Sequence, residues 1–333
     1  MARGGVDGGP LVPYEAGRER IERDPLAAGE LTIARVDALI ARLPSLIRPH
    51  AEELMSRHGY TRGDDGRGPH TNVLGHPLVE LPLWVDDATD GDLDDDTMSD
   101  ILESSVWGYL SVRAEDDYFD GDWDRPRETM MISTIFRTRH ESLLARHITE
   151  DRFWDRFEEV WGGYANAMLL ESGLNDSSNE YDPAQFDLVM ARSQPLEIPA
   201  TAVLSLKSRW AQATLITELV RHLTKATQLF DDFVDAPDDL VKGNHTLMVR
   251  RLAGAKGERA LRRRMVEKCD EVFAEAVDEL DRALVIGAEL GLTGLPAWVD
   301  ARKTEMTRAS QRMYETLFAR LGSSGAPGRG GDA

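Results

Sequence analysis

The sequence predicts an all-α protein, a single-domain antiparallel helical bundle, from three observations. Apolar residues recur at helical spacing over long stretches of the chain. No stretch shows the strict alternation of a β-strand, and no internal repeat is present. A chain of 333 residues with 41% hydrophobic residues can form one core of adequate size. We therefore expect one helical domain over residues 29–321, between disordered segments at 1–28 and 322–333.

The first predicted elements are two helices and an extended segment. Residues 31–43 follow a helical apolar pattern, and Pro44 separates them from a second helix over residues 49–58. Residues 75–85 contain two prolines before an acidic run, which predicts an extended strap over the bundle. The aspartates at 94–96 precede the next apolar pattern. Because negative charge stabilises a helix N-terminus, we expect these aspartates to cap that helix.

The remaining chain is helical by the same pattern, with one informative interruption. The predicted segments are a helix through Met131 and Leu144, a long helix from Phe153 to before Gly173, a short helix Phe186–Arg192, a restart over Ala200–Trp210, and long helices over Gly257–Leu290 and Pro296–Leu321. Ser193-Gln194-Pro195 ends the short helix. Since a helix break frees backbone groups to face a cavity, this interruption indicates a cavity nearby.

An apolar helix face that becomes acidic marks the first candidate site. In the stretch Ile101–Asp124, the stripe that includes Tyr109 continues into Asp116, Asp117 and Asp120. Three carboxylates within about one helical turn repel one another unless a cation lies between them. Hard divalent cations prefer carboxylate oxygens as ligands. The stretch therefore predicts a metal site, with Mg²⁺ as the expected ion.

A second stretch of the same design, Leu215–Asn244, follows later in the chain. Its apolar stripe leads to Phe230, while Asp231, Asp232 and Asp235 project from the neighbouring side. Two such helices that face each other across a bundle would hold metal ions between them. We therefore expect the two acidic groups to lie on opposite walls of one central cavity.

Both acidic stretches resemble the aspartate-rich motifs of class I isoprenoid synthases. The motifs are DDYFD at residues 116–120 and QLFDDFVD at residues 228–235. With Gln228 before it and Lys242-Gly243 after it, the second motif is similar to the polyprenyl diphosphate synthase form. A pair of motifs in order is more specific than one, since DDATD at residues 86–90 also fits the pattern.

This resemblance covers residues 100–255 and implies the isoprenoid synthase bundle with a central active-site cavity. It implies a prenyl diphosphate as substrate and Mg²⁺ as cofactor, three ions with the diphosphate bound. The implied metal ligands are Asp116, Asp117, Asp120, Asp231, Asp232, Asp235 and Asp239. Pro237 is expected to end or kink the helix before the last of these. The first six ligands, together with Arg192, are the predicted catalytic residues.

Diphosphate also attracts fixed cations that carry several hydrogen-bond donors. Arg192 lies at the helix break, where polyprenyl synthases carry Lys-Thr and terpene cyclases carry a diphosphate-sensing arginine. Arg125 matches the first arginine after the first motif of chain-elongating enzymes, and Lys242 matches a diphosphate-binding lysine of the family. The predicted substrate-binding residues are Arg192, Arg125, Lys242, Gln228, Tyr109, Trp107 and Phe230. The aromatic faces of the last three would stabilise a carbocation.

The predicted reaction is that of a terpene synthase, which ionises one prenyl diphosphate and cyclises the allylic cation. Elongating enzymes of the family carry an N-terminal Gly-Lys-Arg stretch and a double arginine for their second substrate. Here Ser45-Leu46-Ile47-Arg48-Pro49 keeps only the Arg-Pro end, and Pro126 replaces the second arginine. The alternative is a prenyltransferase or polyprenyl diphosphate synthase, which joins the allylic diphosphate to a second substrate. A third hypothesis is a non-catalytic, synthase-like subunit of a partner enzyme.

Charge and hydropathy limit the partners. The net charge of −20 argues against nucleic acid, because phosphate backbones would be repelled. No apolar run approaches 18 residues, and the N-terminus has no hydrophobic signal region. We therefore expect a cytoplasmic protein without membrane insertion, with a homodimer as the expected assembly. Cys269, the single cysteine, is expected to be inert.

Overall fold

The structure is a computed structural model that describes residues 24–58, 77–121, 125–175, 183–244, 246–252 and 258–323. These residues form helices and connecting turns with no β-strand among them, which confirms the predicted all-α class. The α-helices in chain order are α1 (Pro25–Ile40), α2 (Arg48–Arg57), α3 (Glu80–Ala88), α4 (Asp95–Phe119), α5 (Pro126–Leu144), α6 (Asp151–Asn175), α7 (Pro183–Val189), α8 (Ile198–Leu206), α9 (Ala213–Lys242), α10 (Leu247–Arg251), α11 (Glu258–Leu290) and α12 (Leu295–Ser323). Two 3₁₀ segments, Met190–Glu197 and Trp210–Gln212, flank α8.

Contacts between Cα atoms divide the chain into two compact units. The first unit comprises residues 1–153 and 198–209, and the second comprises residues 154–197 and 210–333. In the first unit, α4 packs against α5, α1 and α8. In the second unit, α9 packs against α11, α10 and the 3₁₀ segment 190–197. The first acidic stretch thus belongs to the first unit and the second acidic stretch to the second. The single-domain boundaries 29–321 stay a prediction.

Helices α4 and α5 form an antiparallel pair. Near the turn, the Ser111 hydroxyl donates to the Ser133 carbonyl oxygen at 3.3 Å, and farther away Ser104 Oγ lies 2.7 Å from His140 Nδ1. A Cβ atom on Gly108 would lie 3.1 Å from the His140 ring. Glycine at this position therefore leaves room for the His140 ring to pack against α4.

His140 is a buried base whose protonation opposes folding. It is 1% exposed, and burial lowers its pKa from 6.5 to about 4. As the pH falls below 6.5, the unfolded chain binds a proton that the folded protein excludes. The free energy of unfolding should therefore fall by roughly 1.4 kcal/mol per pH unit from this group down to the folded pKa.

This pH dependence can be measured by urea unfolding of the wild type and of His140→Gln at pH 7 and pH 5. The glutamine side chain does not titrate, so the loss between the two pH values should be smaller by roughly 2 kcal/mol in the variant. An equal loss in both proteins would show that His140 is accessible to protons in the folded state.

In the second unit, a buried carboxylate ties the 3₁₀ segment 190–197 to two helices. Glu197 is 1% exposed, and its Oε1 accepts hydrogen bonds from Arg156 Nη2 at 2.6 Å and Nε at 2.9 Å. Arg156 Nη2 also donates to Thr217 Oγ1 at 2.9 Å. One arginine of α6 thus joins the end of the segment that carries Arg192 to the start of α9.

The N-terminal helix begins earlier than the sequence pattern indicated. The Asp24 carboxylate accepts a hydrogen bond from the Ala27 N–H at 3.0 Å, and Pro25 occupies the first helical turn, where no N–H partner is required. The prediction of disorder was therefore wrong for residues 25–28, while residues 1–23 lie outside the described residues. At the other end α12 continues to Ser323.

The predicted extended strap is also corrected. Within it, Glu80–Ala88 forms α3, and Pro82 is the third residue of this helix. Proline is tolerated there because the first-turn N–H groups have no partner within the helix. The following cap is confirmed: the Asp94 carboxylate accepts from the Thr97 N–H at 2.9 Å, which holds the pKa of Asp94 below its ordinary value.

Candidate active site

The first aspartate group consists of Asp116, Asp117 and Asp120 at the C-terminal end of α4. Asp117 is buried at 5% exposure, whereas Asp120 is the exposed residue that caps the helix. Gly121 follows with φ of 68°, a left-handed conformation that glycine adopts without strain and that ends the helix. The helix end therefore presents the three carboxylates in different environments.

Asp117 is held by two residues from the end of α2. His58 Nε2 lies 3.2 Å and Arg57 Nη1 lies 3.6 Å from the same Asp117 oxygen. Burial alone would raise the pKa of Asp117, but the hydrogen bond from His58 and the neighbouring positive charges outweigh it, so that the pKa is lowered. This carboxylate is therefore ionised at neutral pH and fit to bind a cation.

Arg113 links the first group through both ends of its guanidinium. Its Nε donates to His58 Nδ1 at 3.3 Å, and its Nη1 donates to Asp116 at 2.6 Å. Since arginine can only donate, His58 Nδ1 is the acceptor and the imidazole proton lies on Nε2, which donates to Asp117. Arg113 thus binds Asp116 directly and orients His58, which is the partner of Asp117.

The second aspartate group consists of Asp231, Asp232, Asp235 and Asp239 on α9. Pro237 was expected to end or kink the helix before Asp239, and it does not end it, because α9 continues through Pro237 to Lys242. The helix ends at Gly243, whose φ is 79°, and the Asn244 N–H donates to the Asp239 carbonyl oxygen at 2.9 Å. All four aspartates therefore share one continuous helix.

The charges of the second group are poorly compensated. Burial raises the pKa of Asp232 to about 7, although the charge of Arg192 and a hydrogen bond from the Gln228 amide act against this rise. Burial and a neighbouring carboxylate likewise raise the pKa values of Asp235 and Asp239. A bound cation would remove this repulsion, which is the electrostatic condition for a metal site.

Arg192 lies on the 3₁₀ segment 190–197, which confirms the predicted interruption between α7 and α8. Its Nη1 donates to Glu171 Oε2 of α6 at 2.5 Å, and the two side chains are 17% and 22% exposed. Its charge also acts on Asp232. The cation predicted from the helix break therefore belongs to the same electrostatic neighbourhood as the second aspartate group.

The other two predicted cations have different surroundings. Arg125 is exposed and donates from Nη1 to His50 Nδ1 of α2 at 2.9 Å. Lys242 is exposed at the end of α9, where its charge acts against the rise in the pKa values of Asp235 and Asp239 that burial causes. Arg125 thus lies in the unit of the first aspartate group and Lys242 on the helix of the second.

No family model and no curated protein matches the sequence. The structure is similar to the crystal structure of a polyprenyl synthase from Caulobacter crescentus CB15 complexed with calcium and isoprenyl diphosphate. The TM-score is 0.61 at 16% sequence identity, over 85% of this chain and 98% of that chain. The chain has the class I isoprenoid synthase fold. A T. brucei farnesyl diphosphate synthase complexed with minodronate matches at a TM-score of 0.41 and 13% identity, over 88% of this chain and 95% of that chain.

Neither a membrane-spanning helix nor a metal-binding group of side chains is found among the residues that the structure describes. None of the described helices combines the length and the apolar composition needed to cross a membrane. Within the described ranges, no three His, Cys, Asp or Glu side chains lie close enough together to hold a metal ion.

The aromatic residues predicted to line the substrate pocket have distinct environments. Trp107 is 3% exposed and donates from Nε1 to Glu103. Its ring centroid lies 4.9 Å from that of Phe136, so Trp107 is a core residue of the α4–α5 pair. Phe230 is part-buried against Phe273 of α11, with ring centroids 5.4 Å apart. Tyr109 is part-buried on α4. Substrate contact by these residues stays a prediction.

Three partners of the predicted residues were missed in the sequence. They are Arg57 and His58 beside Asp117, and Glu171 beside Arg192. Each pair joins positions distant in the sequence, so helical periodicity carries no signal for it. The one available hint was that Arg57 and His58 end a predicted helix, where cations are favoured.

Proposed function

We propose that this protein is a divalent-metal-dependent prenyltransferase, which ionises an allylic prenyl diphosphate and transfers the prenyl group to a second substrate. The supporting observation is that two helices of an isoprenoid synthase fold each carry an aspartate group beside an arginine, Arg113 and Arg192. Carboxylates bind divalent cations and guanidinium groups bind diphosphate. The similar polyprenyl synthase was crystallised with that combination of ligands, calcium and isoprenyl diphosphate.

The proposed cofactor is Mg²⁺. The candidate ligands are Asp116, Asp117, Asp120, Asp231, Asp232, Asp235 and Asp239. Mg²⁺ usually keeps several waters and is bound through one or two carboxylates plus substrate phosphates, so it suits aspartates that lie near a diphosphate-binding arginine such as Arg192. The pKa of Asp232, which burial raises to about 7, supports the same assignment, since a bound cation would stabilise the ionised carboxylate that burial disfavours. Bound Mg²⁺ would stabilise the negative charge of the leaving diphosphate.

The residues of the chain itself are proposed to bind and orient the diphosphate. Arg192 would donate several hydrogen bonds to its oxygens, and Lys242 would add a point charge. These interactions strengthen as the carbon–oxygen bond breaks and charge accumulates on the diphosphate. They therefore stabilise the transition state more than the bound substrate, which is the requirement for catalysis.

The proximity of His50 and Arg125 favours transfer over cyclisation. The sequence pattern offered no second cationic group near Arg125, yet its Nη1 lies 2.9 Å from His50 Nδ1, two residues after Arg48. Since Nδ1 accepts this hydrogen bond, the His50 proton lies on Nε2 and is a further donor. An exposed arginine and a part-buried histidine with a donor at one place suit the diphosphate of a second substrate.

Cyclisation is the second candidate function. It is favoured by Pro126, which occupies the first turn of α5 where elongating enzymes carry a second arginine. A third hypothesis, the non-catalytic subunit, is disfavoured because Arg192 and Lys242 compensate the second aspartate group only in part, and a bound metal ion would give a reason to keep four aspartates on one helix. The cytoplasmic location and the homodimer stay predictions.

Product analysis distinguishes the candidates. We expect purified protein with Mg²⁺, an allylic diphosphate and labelled isopentenyl diphosphate to form a longer, labelled prenyl diphosphate. A series of allylic chain lengths would identify the preferred substrate. Formation of an unlabelled hydrocarbon or terpene alcohol at a comparable rate, with no label in longer products, would instead establish the cyclase.

Arg125→Gln tests the second-substrate site separately. Loss of one charge-assisted hydrogen bond should raise the KM for isopentenyl diphosphate by about 10-fold to 100-fold. The KM for the allylic diphosphate should not change. Arg209→Gln is the matched control, since Arg209 pairs with exposed Asp90 at 3.6 Å on the surface of the same unit. Equal KM values in the wild type and Arg125→Gln would contradict the assignment of Arg125.

A further inference from the structure

Glu171 is a carboxylate that the proposed reaction does not use, although it contacts the principal diphosphate-binding cation. Its Oε2 accepts a hydrogen bond from Arg192 Nη1 at 2.5 Å. Glu171 belongs to α6 and Arg192 to the 3₁₀ segment 190–197, so the contact joins two elements of the second unit. With side chains 22% and 17% exposed, both residues remain accessible to a ligand from solution.

The pair also lies within electrostatic range of Asp232. The positive charge of Arg192 opposes the rise in the pKa of Asp232, whereas the negative charge of Glu171 adds to it. Arg192 therefore acts on two carboxylates, on Glu171 through a hydrogen bond and on Asp232 through its charge. A diphosphate that reaches Arg192 must compete with a carboxylate already hydrogen-bonded to it.

We propose that Glu171 is the internal counter-anion of Arg192, and that the diphosphate of the substrate displaces it on binding. This inference rests on the proposed function and adds a residue that sets diphosphate affinity. The exchange is favourable because a diphosphate presents more negative charge and more acceptor oxygens to a guanidinium than one carboxylate does. Until the diphosphate binds, Glu171 holds the Arg192 side chain in place and compensates its charge.

The balance of charges predicts the direction of the effect. Glu171→Gln keeps the size of the side chain and an acceptor oxygen but removes the charge that competes with the diphosphate. The diphosphate should therefore bind more tightly, and the KM for the allylic substrate should fall while kcat is retained. A residue that only stabilises the fold would not produce a gain in affinity.

Titration calorimetry with inorganic diphosphate and Mg²⁺ tests the inference without turnover. We expect the Kd to fall about fivefold in Glu171→Gln, the order of magnitude of one partly exposed charge pair. Glu171→Asp keeps the charge and should bind as the wild type does. In an Arg192→Gln background the gain from Glu171→Gln should disappear, because the competition acts through that arginine.

Glu159→Gln is the matched control. Glu159 lies on the same helix, pairs with Arg156 at 2.7 Å, and its loss changes the net charge by the same amount. An unchanged or higher Kd in Glu171→Gln, an equal gain in Glu159→Gln, or a gain that persists in the Arg192→Gln background would overturn the inference. If the wild type itself does not bind inorganic diphosphate with Mg²⁺, the proposed function is contradicted and this inference falls with it.

Discussion

Asp232→Asn is expected to lower turnover by about 10²–10³ or more, the loss typical of a single group that stabilises transition-state charge. The same change should not destabilise the protein at pH 8. Burial raises the pKa of Asp232 to about 7. The protonated carboxyl therefore contributes to the free energy of unfolding at low pH, and this contribution is lost as the pH rises through about 7. Asparagine removes the buried charge, and the melting temperature should stay equal or increase.

This combination separates loss of chemistry from loss of fold. Turnover would be measured as diphosphate release, and stability by calorimetry at pH 8. Asp238→Asn is the control, since Asp238 is an exposed aspartate of α9 outside the predicted ligands, and turnover should be retained. Turnover by Asp232→Asn at the wild-type rate would contradict a role for Asp232 as a metal ligand.

Arg156→Ala is expected to cost about 3 kcal/mol of unfolding free energy, at the lower end for breaking a buried ion pair because Arg156 retains some exposure. The variant leaves Glu197, which is 1% exposed, without the guanidinium that donates to it at 2.6 and 2.9 Å. Burial already raises the pKa of Glu197, and without Arg156 the carboxyl should become protonated, which limits the loss. Urea unfolding at pH 7 measures the change.

Two controls define the origin of this loss. Glu159→Gln breaks the exposed pair of Arg156 and should cost less than about 1 kcal/mol. Replacement of both Arg156 and Glu197 by methionine removes the buried charge altogether, so much of the stability should return. A loss in Arg156→Ala no larger than in Glu159→Gln would mean that Glu197 does not depend on Arg156.

The sequence predicted the features of this protein that are local in the chain. Helical periodicity identified the long helices, and the break at Ser193-Gln194-Pro195 corresponds to the 3₁₀ segment 190–197. The acidic ends of α4 and α9 follow directly from apolar stripes that become acidic. Proline was weighed too heavily, because Pro82 lies in a first turn and Pro237 is retained within α9. Proline is tolerated in a first turn, whereas Pro237 shows that packing can override intrinsic helix propensity.

The partners of the candidate site residues could not be predicted, because they depend on how helices pack. His58 approaches Asp117 across 59 positions, and Glu171 approaches Arg192 across 21. Whether an aspartate is ionised is equally a property of packing. Burial raises the pKa of Asp232, whereas the cations beside Asp117 lower its pKa, although both residues belong to similar motifs.

Release of inorganic diphosphate from allylic prenyl diphosphates, measured with Mg²⁺ and with excess chelator, tests the central claim most directly. We expect release with Mg²⁺ for at least one chain length, and its loss when the chelator is present. Transfer and cyclisation both release diphosphate, so this measurement does not depend on the choice between them. The absence of release at every chain length, or release that continues in excess chelator, would contradict the proposed metal-dependent ionisation of a prenyl diphosphate.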